Sequence, residues 1–522
     1  MRVTPQEASE EKYYKPIIAR ELNVSPDKIT AIHILKRSID ARKRQIIIQL
    51  QAEAWISETP PTESAITFEY PPVHHATPVV VVGAGPGGLF AALRLIELGL
   101  KPIVIERGKS ISERKRDLAL LNRNNPVNPE SNYAFGEGGA GTFSDGKLYT
   151  RSTKRGDFRK ILGVFLQHGA QPEILIDAHP HIGTDRLPAV IKKMRETILE
   201  SGGEVLFNTR VDDLILEDQK VKGVVTQSGE KITGAAVILA TGHSARDVYY
   251  LLNRKSIALE AKTWAMGVRV EHPQHLIDQI QYHAPEGRGE YLPAASYSLA
   301  CQIEERGVYS FCMCPGGFIV PAMTDKNEMV VNGMSPSRRS SPFANSGMVV
   351  EIRPEDIGEF QKHGVLGGLE YQKELERLAY INGGNGVIAP AQALADFVGG
   401  RLSFDLPETS YVPGTISSPM HFWLPDHIGQ RLRKGFEQFG KQARGFITND
   451  ALILGVESRT SSPVRIPRKS DTLQHIQIDG LFPCGEGAGY AGGIASSAID
   501  GERCAEKTWE YLNNKQLEKT NH

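Results

Sequence analysis

The chain has 522 residues, of which 40% are hydrophobic and 23% are charged. This composition is that of an ordinary globular protein, so it excludes a chain that is disordered along its length, and the length predicts about three domains. Sixty basic and 61 acidic residues give a formal charge of -1. No global electrostatic field therefore directs the protein to nucleic acid or to anionic lipid.

The cysteine usage and the first residues favour a cytoplasmic protein. Five cysteines, an odd number without framework spacing, fit a reducing compartment. The segment that begins at Met1 soon becomes charged and lacks the apolar core of a secretory signal. The longest uncharged stretch, Ala76 to Leu93, contains prolines and glycines, so we interpret it as a strand, a turn and a helix. We expect no membrane contact.

Residues 1–75 are predicted to form a small α+β domain and a proline-marked linker. A helix is expected around Pro16 to Leu22, and strands around Ile29 to Leu35 and Ile46 to Ala52. We interpret the basic cluster between these strands as a solvated hairpin tip, with contact to phosphate or to an acidic surface as the alternative. The cluster consists of Lys36, Arg37, Arg42, Lys43 and Arg44.

After the linker, the pattern alternates between strands and helices, which predicts an α/β fold with a parallel sheet. We assign residues 76–255 to the first part of a Rossmann-like dinucleotide-binding domain. Residues 256–446 have more Gly/Pro/Ser connections and short apolar runs, so they are predicted to be an inserted α+β cap or substrate domain. Residues 447–522 are predicted to return to the first domain and to end in a helix.

A dinucleotide fingerprint follows the predicted strand Val79 to Val82. The turn reads Gly83-Ala84-Gly85-Pro86-Gly87-Gly88 and leads into a predicted helix that runs to Leu98. Gly83 permits the tight turn, Gly85 lets the backbone approach a pyrophosphate, and Gly88 lets helix and strand pack closely. The helix N-terminus adds N–H donors and positive potential for phosphate. We therefore count Ala84 and Gly87 among the cofactor-binding candidates.

The next predicted strand, 101–105, leads to an acid eighteen residues after Gly88. A carboxylate at this place, Glu106, accepts hydrogen bonds from a ribose 2'-hydroxyl and disfavours a 2'-phosphate. Arg107 follows it and is a further cofactor-binding candidate. The fingerprint alone does not distinguish NAD from FAD, because both contain adenosine diphosphate.

A second glycine-rich turn lies near the other end of the sequence, between Ile478 and Ile494. It combines a short strand, the acid Glu486 directly after Gly485, and the start of a helix at Gly493-Ile494. This resembles the C-terminal flavin motif of the two-dinucleotide-binding-domain flavoproteins, the glutathione-reductase-like superfamily. The resemblance implies FAD, with the acid near its ribityl or pyrophosphate region. Most members have Asp where this chain has Glu486.

Further segments fit the same resemblance. Val211, after Asn208-Thr209-Arg210, matches the place whose backbone contacts adenine, and Thr241-Gly242 matches the turn that closes the first half of such domains. More closely, the chain resembles a family of bacterial uncharacterised FAD-dependent dehydrogenases through segments 135–148, 311–317 and 455–465. That resemblance covers nearly the whole chain and implies FAD without naming a substrate.

The segment Gly136 to Gly141 repeats the G-x-G-x-x-G spacing but lacks a preceding strand and a following helix. We therefore reject a second nucleotide fold. A loop so rich in glycine can bring the amide of Gly141 and the hydroxyl of Ser144 to a pyrophosphate or flavin, with a purely structural turn as the alternative. A nicotinamide donor, NAD(P)H, would then have to visit the flavin transiently.

Three residues are candidates for catalysis. Cys312 and Cys314 lie two apart in a predicted strand, so both thiols are expected on one side. They are interpreted as pocket-lining or structural, as a redox or nucleophilic pair, or as metal ligands, although no further ligand lies nearby and no metal site is predicted. Arg459, close to Glu457 and Arg465, could contact a substrate carboxylate or the flavin edge, or form an internal salt bridge.

The leading hypothesis is a FAD-dependent oxidoreductase that transfers hydride through flavin N5 to or from an unidentified small molecule. One alternative is an NAD-linked dehydrogenase without flavin. The other is a flavin-containing RNA-associated protein, suggested by the basic cluster, although the overall charge disfavours nucleic acid. The oligomeric state is left open.

Overall fold

The computed structural model describes residues 1–61, 67–150 and 156–520. Its first segment is a three-stranded antiparallel sheet with strand order β1-β3-β2 and one helix. The elements are β1 (Arg2–Val3), α1 (Glu11–Glu21), β2 (Ile29–Asp40) and β3 (Ile47–Ile56). Helix α1 begins before the predicted start at Pro16, so this proline lies inside the helix.

The basic cluster is only partly a hairpin tip, because Lys36 and Arg37 lie within β2. Arg37 Nε donates to Asp177 Oδ1 at 2.7 Å. Arg42 Nη2 donates to Asp40 Oδ2 at 2.7 Å. These two positive charges are therefore paired, and the Arg37 pair ties the first segment to the next one.

The second segment builds a parallel sheet. Its strands β10, β4, β5 and β6 lie side by side in that order, whereas β7, β8 and β9 form a separate antiparallel sheet. The elements are β4 (Pro78–Val82), α2 (Pro86–Glu97), β5 (Lys101–Ile105), α3 (Ile111–Leu121), α4 (Phe158–Gln167), α5 (Leu187–Glu200), β6 (Glu204–Leu206), β7 (Val211–Glu217), β8 (Lys220–Thr226), β9 (Lys231–Thr233), β10 (Val237–Leu239) and α6 (Arg246–Arg254). The valines of β4 are buried, as in a parallel sheet with both faces covered.

The third segment contains a seven-stranded sheet, which we call the middle sheet. Its strand order is β13-β14-β17-β12-β20-β18-β19. The elements are β11 (Glu260–Ala261), β12 (Trp264–Pro273), α7 (Gln274–Tyr282), β13 (Ala300–Ile303), β14 (Arg306–Cys314), β15 (Phe318–Pro321), β16 (Val331–Met334), β17 (Phe343–Ile352), α8 (Gly367–Asn382), β18 (Ala389–Ala393), α9 (Leu394–Gly399), β19 (Thr415–Ser417), α10 (Met420–Trp423), α11 (Asp426–Gln442), β20 (Leu452–Glu457) and β21 (Val464–Arg465).

Strand β20 lies in the middle sheet, although the sequence pattern assigned everything after residue 446 to the returning segment. It pairs antiparallel with β12 on one side and with β18 on the other. An apolar run of this length suits a buried strand in either sheet, so its pattern does not identify the sheet. The chain therefore returns to the first sheet later than expected.

The return is made by β22 (Leu481–Pro483), which pairs parallel with β10, and by α12 (Ile494–Thr520). Helix α12 approaches α2 so closely that a Cβ added at Gly501 would lie 2.1 Å from the carbonyl oxygen of Gly87. The beginning and the end of the fold that contains the parallel sheet thus pack together. Across the described residues, no helix combines the length and the apolar character needed to cross a bilayer.

Candidate functional site

A cavity of about 370 Å³ opens between the parallel sheet and the middle sheet. This volume lies in the range of small-molecule sites. Of the predicted cofactor-binding residues, those that line the cavity are Gly83, Gly85, Gly87, Glu106, Arg107, Gly141, Ser144, Val211, Thr241, Gly242, Gly485, Glu486, Gly493 and Ile494. Ala84 and Gly88 are not among the lining residues. The glycine turns from the two ends of the fold therefore meet at one cavity.

The first glycine turn needs residues without side chains at two positions. Gly83 has φ 104°, and a Cβ there would lie 2.4 Å from the carbonyl oxygen of Ala240. A Cβ at Gly88 would lie 1.8 Å from the carbonyl oxygen of Gly83. At Gly85, by contrast, the nearest atom to an added Cβ is 3.9 Å away, on Gly139. The turn is therefore tightly packed against backbone atoms at Gly83 and Gly88, whereas at Gly85 there is room for a ligand.

Glu106 is buried, with 5% of its surface exposed. Its Oε2 accepts from the amide of Ala84 at 2.9 Å, and its Oε1 accepts from the amides of Gly108 at 2.8 Å and Gly136 at 2.9 Å. An ionised carboxylate offers about four acceptor sites, so about one remains for a ribose hydroxyl. Glu106 therefore holds the turn together and still has capacity for a ligand.

Arg107 points to the same side as Glu106 and is fixed by neighbouring acids. Its Nε donates to Glu130 Oε2 at 2.8 Å, and its Nη1 donates to Asp247 Oδ1 at 2.9 Å. The guanidinium also lies 4.1 Å from the ring centroid of Phe135. These contacts hold the side chain of Arg107 in place in the lining of the cavity, to which Val211 also belongs.

The second glycine-rich loop lies directly on the first turn. The amide of Gly138 donates to the carbonyl of Ala84 at 2.8 Å, and a Cβ on Gly139 would lie 3.1 Å from the Cα of Gly85. Ser144 Oγ donates to the carbonyl of Gly141 at 2.7 Å. The hydroxyl of Ser144 therefore shapes its own loop, while the loop forms one side of the cavity.

The C-terminal turn contacts the turn after β10. A Cβ at Gly487 would lie 2.6 Å from the carbonyl oxygen of Gly242. Glu486 Oε2 lies 3.5 Å from His243 Nε2. Burial, together with nearby Arg459 and Arg246, lowers the pKa of His243 to about 4. Burial and the proximity of Cys312 raise the pKa of Glu486 to about 7, so near neutral pH this carboxyl exchanges its proton readily.

Because of this raised pKa, the ionisation of Glu486 makes the stability of the cofactor-free protein depend on pH. The folded pKa lies above the reference value of 4.5, so the contribution of Glu486 is complete below about pH 4.5 and is lost as the pH rises through about 7. We expect Glu486→Gln to reduce the loss of unfolding free energy between about pH 4.5 and pH 8 by about 1 to 2 kcal/mol. Urea unfolding at several pH values measures this.

The control for that experiment is Glu359→Gln, which changes an exposed acid that pairs with Lys362 on the protein surface. It should leave the pH dependence of stability as in the wild type. A Glu486→Gln profile that runs parallel to the wild-type profile would contradict the assignment.

Cys312 lines the cavity, whereas Cys314 is buried and is not among the lining residues. The pairing of β14 with β17 shifts register between Phe311 and Cys314, and Cys312 has φ 46°. A residue other than glycine in this left-handed region marks a local distortion of the strand. The strict alternation behind the prediction that both thiols face one side therefore does not apply here.

Arg459 lines the cavity, but its guanidinium is committed to internal partners. Its Nη2 donates to Glu328 Oε2 at 2.7 Å and to Glu376 Oε2 at 2.9 Å. Its Nε donates to Glu376 Oε1 at 3.0 Å, and its Nη1 donates to Thr324 Oγ1 at 2.6 Å. This geometry favours the internal salt bridge over a catalytic role, because four of the five N–H donors are used.

The neighbours of Arg459 in sequence also have other partners. Glu457 accepts from Arg269 Nη1 at 2.7 Å, and Arg465 lies over the ring of Tyr490. Neither of these two side chains provides a free charge directed into the cavity.

Several residues of the site were not predicted. Lys147, His243 and Asn332 line the cavity, and Arg269 lies behind Cys312. A signal for Arg269 was available, because it is the charged residue in the otherwise apolar run of residues 264–270 within β12. Lys147 lies in segment 135–148 and His243 directly follows Thr241-Gly242, but no spacing rule selects either residue.

Among the described residues, one group brings three side chains of metal-ligating type within 4.8 Å of one another: Cys484, Asp500 and Cys504. Asp500 Oδ1 already accepts from Arg468 Nη2 at 2.6 Å, and Oδ2 accepts from Nη1 at 2.9 Å. The Arg468 guanidinium supplies the positive charge that this group needs. The cluster therefore gives no support to a metal site.

The chain matches four family descriptions. Residues 76–123 match "FAD binding domain", and residues 263–460 match "FAD-dependent protein, C-terminal domain-like". Residues 181–283 match "Glucose inhibited division protein A", and residues 1–55 match a domain of unknown function. The two FAD-related matches cover the first glycine turn and nearly all of the middle sheet, and they support FAD over the flavin-free alternative.

Among individual proteins, the chain is 41% identical over 509 residues to an uncharacterized protein of Clostridium beijerinckii, with 94% of each chain covered. It is 29% identical over 175 residues to a thiamine thiazole synthase of Aeropyrum pernix, which covers 33% of this chain and 52% of that protein. Among solved structures, CtdE in complex with FAD is 12% identical, with 85% and 91% of the chains covered and a TM-score of 0.32.

The long match to the Clostridium protein shows a shared family, and the FAD-related matches show the cofactor. FAD is the cofactor, and the substrate is not identified by any of these likenesses. The chain therefore belongs to a family of FAD-dependent oxidoreductases that includes the uncharacterized protein of Clostridium beijerinckii.

Proposed function

We propose that FAD binds along the cavity with its adenosine diphosphate half on the first glycine turn and its flavin beside the C-terminal turn. The observation that carries this proposal is that both turns line one cavity. The free acceptor capacity of Glu106 would take the adenosine ribose, and the backbone at Val211 would contact adenine. The N-terminus of α2 would hold the pyrophosphate.

The C-terminal turn is proposed to hold the other half. Glu486 lines the cavity next to His243 and would accept from the ribityl chain when ionised. Helix α12 begins at Ile494, and Gly493 and Ile494 both line the cavity. Amide donors and the positive end of a helix at this place stabilise negative charge at the N1/O2 edge of flavin. Bound FAD supplies two-electron hydride exchange at N5.

The middle sheet is proposed to act as the cap of an oxidoreductase of the glutathione-reductase-like kind. It contributes Phe311 and Cys312 from β14 to the cavity lining, and the separate two-stranded sheet of β15 and β16 contributes Asn332. These side chains would shape the pocket for a small-molecule substrate and exclude water from the reacting atoms. A nicotinamide dinucleotide, NAD(P)H, would visit this face transiently, in keeping with a dehydrogenase or reductase.

The test is cofactor uptake by the purified protein. After incubation with FAD and removal of free ligand, we expect flavin absorption in the visible spectrum and one FAD per chain by extraction. Incubation with NAD in place of FAD should leave no tightly bound nucleotide. A colourless protein that takes up no FAD would overturn the proposal, and stoichiometric NAD without flavin would restore the NAD-linked alternative.

A further inference from the structure

We propose that Cys312 and Cys314 form a dithiol–disulfide couple that exchanges electrons with the flavin and acts on small disulfides. The inference rests on the proposed function, because it needs a flavin in the cavity that Cys312 lines. Cys312 is the accessible sulfur of the pair, and Cys314 lies behind it. The pair thus has one thiol available to a substrate and one protected thiol.

The side chain of Cys314 is folded back towards Cys312. Its thiol donates to the carbonyl oxygen of Cys312 at 3.3 Å. Two residues apart in a regular strand would separate the Cα atoms by about 6.6 Å, near the upper limit for a disulfide. The register shift and the φ of 46° at Cys312 replace that regular geometry.

Two cations brace the segment that carries the thiols. Arg269 Nη2 donates to the carbonyl oxygen of Cys312 at 2.8 Å and lies 3.6 Å from the Cys314 sulfur. Lys147 Nζ donates to the carbonyl oxygen of Met313, between the two cysteines. Positive charge beside a cysteine favours its thiolate, which is the reactive form in thiol–disulfide exchange.

Two acids lie beside these cations. Glu457 accepts from Arg269, whereas Asp145 Oδ2 lies 3.9 Å from Lys147 Nζ and accepts from Arg339 Nη2 at 2.7 Å, so three cations face these two acids. The neighbouring Cys314 thiol, helped by Lys147 and Arg269, lowers the pKa of Cys312 below its usual range. In the reduced pair, Cys312 is therefore favoured as the thiolate and Cys314 as the thiol.

The exchange with a small disulfide balances as follows. The Cys312 thiolate attacks one sulfur of the substrate, forms a mixed disulfide and expels one substrate thiolate. Cys314, after giving its proton to that leaving sulfur, attacks the Cys312 sulfur and releases the second thiolate, which leaves a Cys312–Cys314 disulfide. Two electrons and one proton from reduced flavin break this bond and restore the thiolate and the thiol. NAD(P)H is the class of reductant that resupplies the flavin.

The test uses the full-length protein equilibrated in mixtures of 2-mercaptoethanol and 2-hydroxyethyl disulfide, quenched with N-ethylmaleimide in denaturant so that buried thiols are also labelled, and digested with trypsin. Cleavage after Arg306 and Lys326 gives a peptide, residues 307–326, whose only cysteines are Cys312 and Cys314. We expect this peptide to change from two labels to none as the mixture becomes more oxidising, without a stable one-label form, as a two-electron couple requires.

The matched variants separate the two roles. Cys314→Ser should trap Cys312 as a mixed disulfide with the reagent, whereas Cys312→Ser should leave Cys314 unmodified because it is buried. Cys301→Ser, outside the cavity, should behave as the wild type. A wild-type peptide that keeps both labels in every mixture would overturn the couple, as would a Cys314→Ser protein without any adduct.

A second measurement ties the couple to flavin. The FAD-loaded wild type with its disulfide closed should consume about twice as many electrons per flavin in an anaerobic dithionite titration as Cys312→Ser does, because the buried Cys314 of that variant forms no disulfide. Equal uptake by the two proteins would refute electron exchange between the couple and flavin. Closure of the disulfide in a protein that binds no FAD would contradict the proposed function and leave the thiol chemistry intact, so the two failures are distinguishable.

Discussion

Replacing Gly88 with alanine is expected to abolish FAD retention and to lower the free energy of unfolding by about 3 kcal/mol. The added Cβ would lie 1.8 Å from the carbonyl oxygen of Gly83 and 3.4 Å from a methyl group of Val81. The close atom belongs to the backbone, so no change of rotamer relieves the overlap. Helix α2 must move away from β4, and this displaces the N–H groups that face the cavity.

The control for this substitution is Gly386→Ala. A Cβ at Gly386 meets no atom within 4 Å, and the residue lies outside the cavity lining. Urea unfolding and flavin content after gel filtration should separate the two variants, with Gly386→Ala close to the wild type. If Gly88→Ala retained one FAD per chain at wild-type stability, the close packing of the first turn could not be what positions the cofactor.

The first glycine turn was predictable because its contacts are local. Gly83 and Gly88 constrain each other across a few residues, and the strand and helix on either side leave their own periodic patterns. Glu106 was also predictable, since it follows β5 at the fixed length of one βαβ step. What the pattern did not show is that the carboxylate binds three backbone amides, one of them from Gly136 in a distant loop.

The parts that were not predictable depend on partners far along the chain. Arg459 could equally contact a substrate or form a salt bridge, because the acids that bind it, Glu328 and Glu376, are more than eighty residues away. Strand β20 has an apolar pattern that suits either sheet, and only its pairing with β12 and β18 identifies its place. A single sequence shows the residue types, but it does not show which distant residues or strands will be their partners.

The thiol pair shows the same limit within one strand. The spacing of Cys312 and Cys314 suggested a regular strand with both thiols on one side. A register shift between Phe311 and Cys314 instead leaves Cys312 at the cavity and Cys314 buried. The cations that surround them come from the loop before α4, in the case of Lys147, and from β12, in the case of Arg269. The chemistry of the pair is therefore a property of the assembled fold rather than of the local motif.

A buried charge network joins the middle sheet to the nucleotide-binding fold, and its centre is Glu376. This carboxylate accepts from Arg246 Nη2 at 2.7 Å, from Arg459 Nε at 3.0 Å and from Ser458 Oγ at 2.6 Å, and its side chain has no exposed surface. We expect Glu376→Gln to lower the free energy of unfolding by about 3 kcal/mol, because the two buried guanidinium groups must then share the single charge of Glu328.

The pH dependence of stability should change in the same variant. Burial alone would raise the pKa of Glu376, but Arg246 and Arg459 lower it to about 2, below the reference value of 4.5. Its stabilising contribution is therefore complete above about pH 4.5 and is lost as the pH falls towards about 2. Urea unfolding across this range should show a smaller loss on acidification for Glu376→Gln than for the wild type.

Glu374→Gln is the matched control, because Glu374 lies on the same helix but pairs with Arg377 on the surface. Surface pairs of this kind contribute about 0.3 to 0.5 kcal/mol, so this variant should stay close to the wild type at every pH. Equal stability of the Glu374 and Glu376 variants near neutral pH would mean that the two arginines find other partners or water. The network would then not be what holds the middle sheet against the cavity.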